Sequence, residues 1–183
     1  MTLRSLLILL IFAVHSLSIA GDEQQSVPAR IGNIALAVPA GLNGPDRSSP
    51  NKSSELYVYF SRKDLPPTLL QLTRVVTPEA RSDLTDKVKY EAATHFLAGF
   101  LQTFGKNVQG WHVSATELVK LGGHSTAMAK WSGIYHGIPT EGAMYLLVLG
   151  KEAYCFHTFG RSDVQNDVLK SSVQAINKLR LIE

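Results

Sequence analysis

One cysteine, Cys155, stands in 183 residues, so the chain cannot close an internal disulfide. Charge of one sign is lacking too. Lys and Arg number 18 against 15 Asp and Glu, a formal +3, and no basic stripe alternates with aromatics. That balance argues against a nucleic-acid partner. No Gly-x-Gly-x-x-Gly, no P-loop lysine motif and no Gly-x-Ser-x-Gly elbow occurs. The familiar fingerprints of nucleotide enzymes and serine hydrolases are therefore missing. His124 and Ser125 are neighbours, but adjacent residues of a strand point to opposite faces. No His-Glu-x-x-His or paired-cysteine pattern gathers a metal, so neither a metal nor another cofactor is expected.

Long hydrophobic runs are absent except at the start. Arg4 is followed by apolar residues from Leu6 to Val14, and small residues close the run at Ser18-Ile19-Ala20. Positive flank, apolar stretch and small-residue exit together predict a signal peptide over residues 1–20. His15, Ser16 and Ser18 interrupt the run too early for a membrane span, which needs about 18 or more apolar residues. The expectation is export to the periplasm (or secretion), with cleavage near Ala20 and no transmembrane anchor afterwards. Residues 21–30 are polar and read as a flexible leader. Residues 31–183 then form a single domain. In that oxidising setting Cys155, flanked by Tyr154 and Phe156, reads as a buried small apolar residue.

Ile34, Leu36 and Val38 alternate as a half-buried strand would. Pro39 to Ser54 is rich in Gly, Pro, Asn and Ser and reads as a long loop. Leu56–Phe60 and Leu69–Val76 follow as strands. Thr77-Pro78-Glu79 announces a helix start, and apolar residues at Leu84, Val88, Ala92, Phe96 and Phe100, widened by Leu97, Leu101 and Phe104, carry the helix to Phe104. Trp111–Leu121 and His124–His136 read as strands joined at Gly122-Gly123. Glu141–Leu149 and Glu152–Phe159 are two more, joined at Gly150-Lys151. A two-residue turn there sets Leu147 opposite Tyr154, Tyr145 opposite Phe156, Leu146 opposite Cys155 and Met144 opposite His157. Both faces of that hairpin are apolar, so both must be covered. Ser162-x-x-Gln165 announces a last helix whose apolar face runs from Val164 to Leu179. The fold class is thus α+β, a three-layer α/β/α sandwich around a central antiparallel sheet, in the order β-β-β-α-β-β-β-β-α.

The segment Glu117-Leu118-Val119-Lys120-Leu121-Gly122-Gly123-His124-Ser125-Thr126-Ala127 resembles the turn-and-strand block of the PsbP-like and DcrB-like exported proteins. Ile34 to Leu42 resembles their opening strand, with Leu42 where tryptophan is usual. The shared motifs are turns and core positions. They imply the sandwich fold and a non-enzymatic accessory or binding role, with no catalytic residue to carry over.

On that reading the protein acts through protein–protein contacts, with a partner in the cell envelope. Two surfaces suit contact: the Pro39–Ser54 loop and the tip of the hairpin that carries Tyr135, His136 and Glu141. Tyr135 is expected to be exposed there and Trp131 to be core. If Gly137-Ile138-Pro139-Thr140 is the connecting loop, His136 faces Glu141. That pair is the only one suited to the alternative role, a small-ligand or metal-ion carrier.

Overall fold

The computed structural model describes residues 28–77 and 83–182. The expected signal peptide, residues 21–27 of the expected leader and Pro78-Glu79 lie outside the described residues. Ala29 and Arg30, expected in the leader, already belong to the first strand. Ile31–Val38 is a tight hairpin rather than one strand. β1 (Ala29–Ile31) and β2 (Ile34–Leu36) pair across Gly32-Asn33, where Gly32 takes φ +52. β11 (Arg180–Leu181), which no sequence pattern announces, adds to β2 to complete a small three-stranded sheet.

Among the described residues the main sheet has eight strands. Its order is β3 (Leu42–Asn51), β4 (Ser54–Ser61), β5 (Thr68–Val76), β10 (Glu152–Arg161), β9 (Ile138–Leu149), β8 (His124–Tyr135) and β6 (Val108–Val113). β7 (Glu117–Leu121) also pairs with β8. The expected Pro39–Ser54 loop is therefore mostly β3, an edge strand with Pro45 and Pro50 inside it. An edge strand leaves half its backbone donors facing solvent, so proline costs it nothing there. Two register shifts against β4 further break its ladder. The single strand expected over Trp111–Leu121 is two, β6 and β7, because Ser114–Thr116 interrupts it. Both lie on β8, β6 against its end and β7 against its beginning.

α1 (Asp86–Gly105) starts later than expected. Its cap is Thr85, whose hydroxyl accepts from the Val88 amide, and Thr77 instead bonds back to Lys151. The buried residues are Ala93, Leu97, Phe100 and Leu101; the last three lie on the expected apolar face, whereas Val88 is exposed. α2 (Asp167–Asn177) is capped by Asn166, not by a Ser162 box. The Asn166 carboxamide oxygen accepts from the Leu169 amide and from the Thr68 hydroxyl, both at 3.0 Å, which ties the helix to β5.

The expected layers are present. α1 lies over β8 and β9 on one face, with Ala127, Ala129, Met144, Leu146 and Cys155 beneath it. α2 and the small sheet cover the other face, over Leu70, Leu72, Met128, Tyr145, Leu147, Tyr154 and Phe156. Each large apolar side chain so covered contributes roughly 1.5–3 kcal/mol by leaving water. The register at Gly150-Lys151 is the expected one, residue by residue. One polar contact crosses from the small sheet to a charged cluster on the main one. The Asn33 amide donates to the Tyr154 hydroxyl (3.2 Å), Tyr154 donates to Glu152, and Arg74 bridges Glu152 and Glu55.

Candidate functional site

The β8–β9 hairpin ends in a two-residue turn, His136-Gly137, with φ of +50 and +78. Two positive φ values in succession are the geometry a twisted two-residue hairpin requires, and Asn-Gly is its usual sequence. The closing pair is Tyr135 with Ile138. Residues 138–140, expected in the connecting loop, belong to β9 instead. Glu141 consequently lies opposite Ser132 and not opposite His136. The structure does not bring the His136–Glu141 pair together. Among the described residues no three His, Cys, Asp or Glu side chains gather as a metal site would require.

His136 holds a left-handed conformation that costs a side chain with a Cβ about 1 kcal/mol. His136→Asn is expected to raise stability by about 0.5–1 kcal/mol, read as a higher unfolding midpoint in urea. An unchanged or lower midpoint would remove the strain argument.

Tyr135 is half-buried rather than free. Its ring stacks on Phe104 at 5.5 Å, meets Phe159 edge-on at 5.6 Å and touches the His136 ring at 4.3 Å. Burial pushes its phenol above the ordinary value. It is the outermost member of an aromatic cluster that includes Phe104, Trp111, Trp131, His157 and Phe159. Trp131 is core as expected, 3% exposed, and its indole N–H donates to His157 Nε2 at 3.0 Å. His157 is fully buried, and burial pulls its pKa down to about 3. The imidazole is therefore neutral, with its proton on Nδ1, because Nε2 must accept. Gly142 makes room for this cluster. A Cβ there would stand 2.8 Å from the Trp131 ring and 2.6 Å from the Phe159 Cβ.

The opposite face of the same tip is bare. Near the middle of the sheet that face is roofed by α2 and the small sheet. Towards the tip it is not. Lys130, Ile134, Pro139 and Glu141 are exposed and Ser132 is half-exposed. His112 joins them from β6, opposite Ser132. Ile134 is 40% exposed there, and Ile138, on the α1 side of the same turn, is 36% exposed. That face of the tip thus presents Ile134 and Pro139, flanked by Lys130, Glu141 and His112, while Ile138, paired with Tyr135, lies on the α1 face.

Among the described residues no helix is long and apolar enough to cross a membrane. No protein-family model matches the chain, and no curated protein matches it in sequence. Solved structures do match. LpqN, involved in cell envelope biogenesis of Mycobacterium tuberculosis, superposes over 87% of this chain and 91% of its own, with 18% identity and a TM-score of 0.57. Cyanobacterial PsbP (CyanoP) from Synechocystis sp. PCC 6803 does so over 90% and 98%, with 10% identity and a TM-score of 0.55.

The chain has the PsbP-like fold.

A protein from Bacteroides thetaiotaomicron shares it at 12% identity and a TM-score of 0.50, over 82% of this chain but 46% of that longer one. At these identities the likeness is one of fold. Within the PsbP-like frame, the expected Glu141–Leu149/Glu152–Phe159 hairpin and last helix are β9–β10 and α2. The aromatic cluster and the bare tip both sit at the far end of β8 and β9.

Proposed function

We propose that this chain is an exported, non-enzymatic accessory protein that binds another protein of the cell envelope through the β8–β9 tip. The observation that carries the reading is Ile134, 40% exposed beside its partner Pro139 on the face that α2 and the small sheet leave open, with Ile138, 36% exposed, on the other side of the same turn. Exposed apolar residues rimmed by charge mark contact surfaces more often than catalytic ones. The rigid aromatic cluster behind the tip supports it, since a pre-ordered surface loses little entropy on binding. The strained His136 turn adds support, because a left-handed histidine is kept against a small but steady folding cost.

Export rests on the leading sequence of Arg4, the Leu6–Val14 run and Ser18-Ile19-Ala20. The fold shared with LpqN, a protein of cell envelope biogenesis, fits the same address and favours the periplasm. β3, the other surface named from sequence, is the weaker choice. Its prolines and register shifts deny a partner a continuous ladder, and it exposes no large apolar side chain.

Tagged protein spanning residues 21–183, mixed with the native envelope fraction, is expected to retain one stoichiometric protein. Ile134→Asp and Ile138→Asp should each weaken that retention by about tenfold or more, as expected when a central apolar anchor of an interface is replaced by a charge. Ser49→Asp on β3 should leave it intact. Equal retention by the tip variants, or no retained protein at all, would sink this reading.

A further inference from the structure

The small sheet turns Ile31, Ile34 and Leu36 into the core, with Leu181 packed against the same cluster. Side chains alternate along a strand, so Arg30, Ala35 and Arg180 share the outer face. The register makes them a single row. Ala35 pairs with Arg30 on one side and with Arg180 on the other. With strands about 4.8 Å apart, the two arginine Cα atoms stand about 9.6 Å apart across the alanine.

Arginines elsewhere among the described residues have partners. Arg62 and Arg161 meet Asp64 and Asp163, Arg74 meets Glu55 and Glu152, and Arg47 lies over the Tyr57 ring. Arg30 and Arg180 are exposed and have neither a carboxylate nor a ring beside them among the described residues. The two unpaired arginines are the two that the register sets side by side. Folding gains nothing from placing like charges in one row, so the arrangement suits an anion that neutralises both.

We propose that Arg30 and Arg180 form a two-armed anion site over Ala35, taking a phosphate group. A guanidinium presents parallel N–H donors that match two oxygens of an oxyanion, at about 2.8 Å each. A carboxylate has two oxygens and satisfies one arm. A tetrahedral phosphate has enough oxygens for both arms, and the alanine methyl leaves the floor between them open. The ligand joins the first and last described strands, β1 and β11. A free phosphate or the phosphodiester of a lipid headgroup offers the same chemistry.

The test is calorimetric titration of the full-length protein with inorganic phosphate at low salt, where screening is weakest. In parallel, the protein is sedimented with phosphatidylglycerol and with phosphatidylcholine vesicles. The site predicts saturable phosphate binding, weakened by about tenfold or more in Arg30→Gln and in Arg180→Gln. Ala35→Glu, which sets a carboxylate between the arms, should abolish binding while leaving the fold intact by circular dichroism. Excess sedimentation with phosphatidylglycerol over phosphatidylcholine, abolished in the same variants and without free-phosphate binding, would assign the group to a headgroup. Binding of neither probe, or binding unchanged in the arginine variants, would overturn the proposal.

Discussion

Trp131→Ala is expected to cost about 3–5 kcal/mol of folding stability, a large share of what a domain of this size possesses. The indole is almost wholly buried and lies within 4.9 Å of the Phe104 ring, 5.2 Å of Trp111 and 5.6 Å of Phe159. These neighbours come from α1, β6 and β10 and are locked by one another, so the cavity cannot collapse cheaply. Trp131→Phe separates volume from hydrogen bonding. It keeps most of the ring packing but removes the donor to His157 Nε2, stranding a buried acceptor at a cost of about 1–3 kcal/mol. Urea denaturation of the two variants against the parent checks both figures. A Trp131→Ala loss below about 1 kcal/mol would mean the cluster is not packed as described.

Acidification should destabilise the protein well before its carboxylates begin to titrate. Folded His157 stays neutral down to about pH 3, whereas an unfolded imidazole takes a proton near pH 6.5. Between those values the unfolded chain binds the extra proton. Stability is therefore full above about pH 6.5 and falls as pH drops, by up to about 1.4 kcal/mol per unit. Glu152 contributes only at lower pH. The hydrogen bond from Arg74 holds its carboxyl below the usual range, so its share is present above that range and lost as pH falls through it. The window from about pH 6.5 to 4.5 thus belongs chiefly to His157. His157→Gln, whose side-chain oxygen can still accept from Trp131, should flatten the dependence there. Denaturation midpoints measured across that window test the point, and parallel curves for parent and variant would contradict it.

The same turn rule succeeds at one hairpin and fails at the next, for a physical reason. At Gly150-Lys151 the two-residue loop fixes the register, and Leu146, Cys155, Met144 and His157 fall where the sequence places them. At His136-Gly137 the first left-handed position is filled by histidine, which does not advertise such a turn as asparagine would. Pattern reading therefore sets the loop too late, and with that error goes the expected His136–Glu141 pair. β3 is illegible because its proline and glycine content is that of a loop, and only its edge position makes a strand of it. Thr77-Pro78 and Thr85-Asp86 are both fair helix starts, and nothing local decides between them.

The candidate sites are harder to read than the fold. The aromatic cluster draws on residues 104, 111, 131, 135, 157 and 159, contributed by α1, β6, β8 and β10. Each looks like ordinary core in its own segment. Trp131 can be assigned to the core from pairing alone, but its bond to His157 needs β9 to hold β8 and β10 two strands apart. The Arg30–Ala35–Arg180 row depends on β11, two residues long and hidden behind the apolar stripe of the last helix. No motif search finds an anion site made by strands from opposite ends of the described chain.

Hydrogen–deuterium exchange of residues 21–183, alone and with the retained envelope partner, tests the central claim most directly. Contact through the tip predicts slowed exchange over residues 132–141, with β3 and β7 unchanged. Protection confined to β3 or β7, with the tip exchanging as fast in the complex as alone, would contradict it.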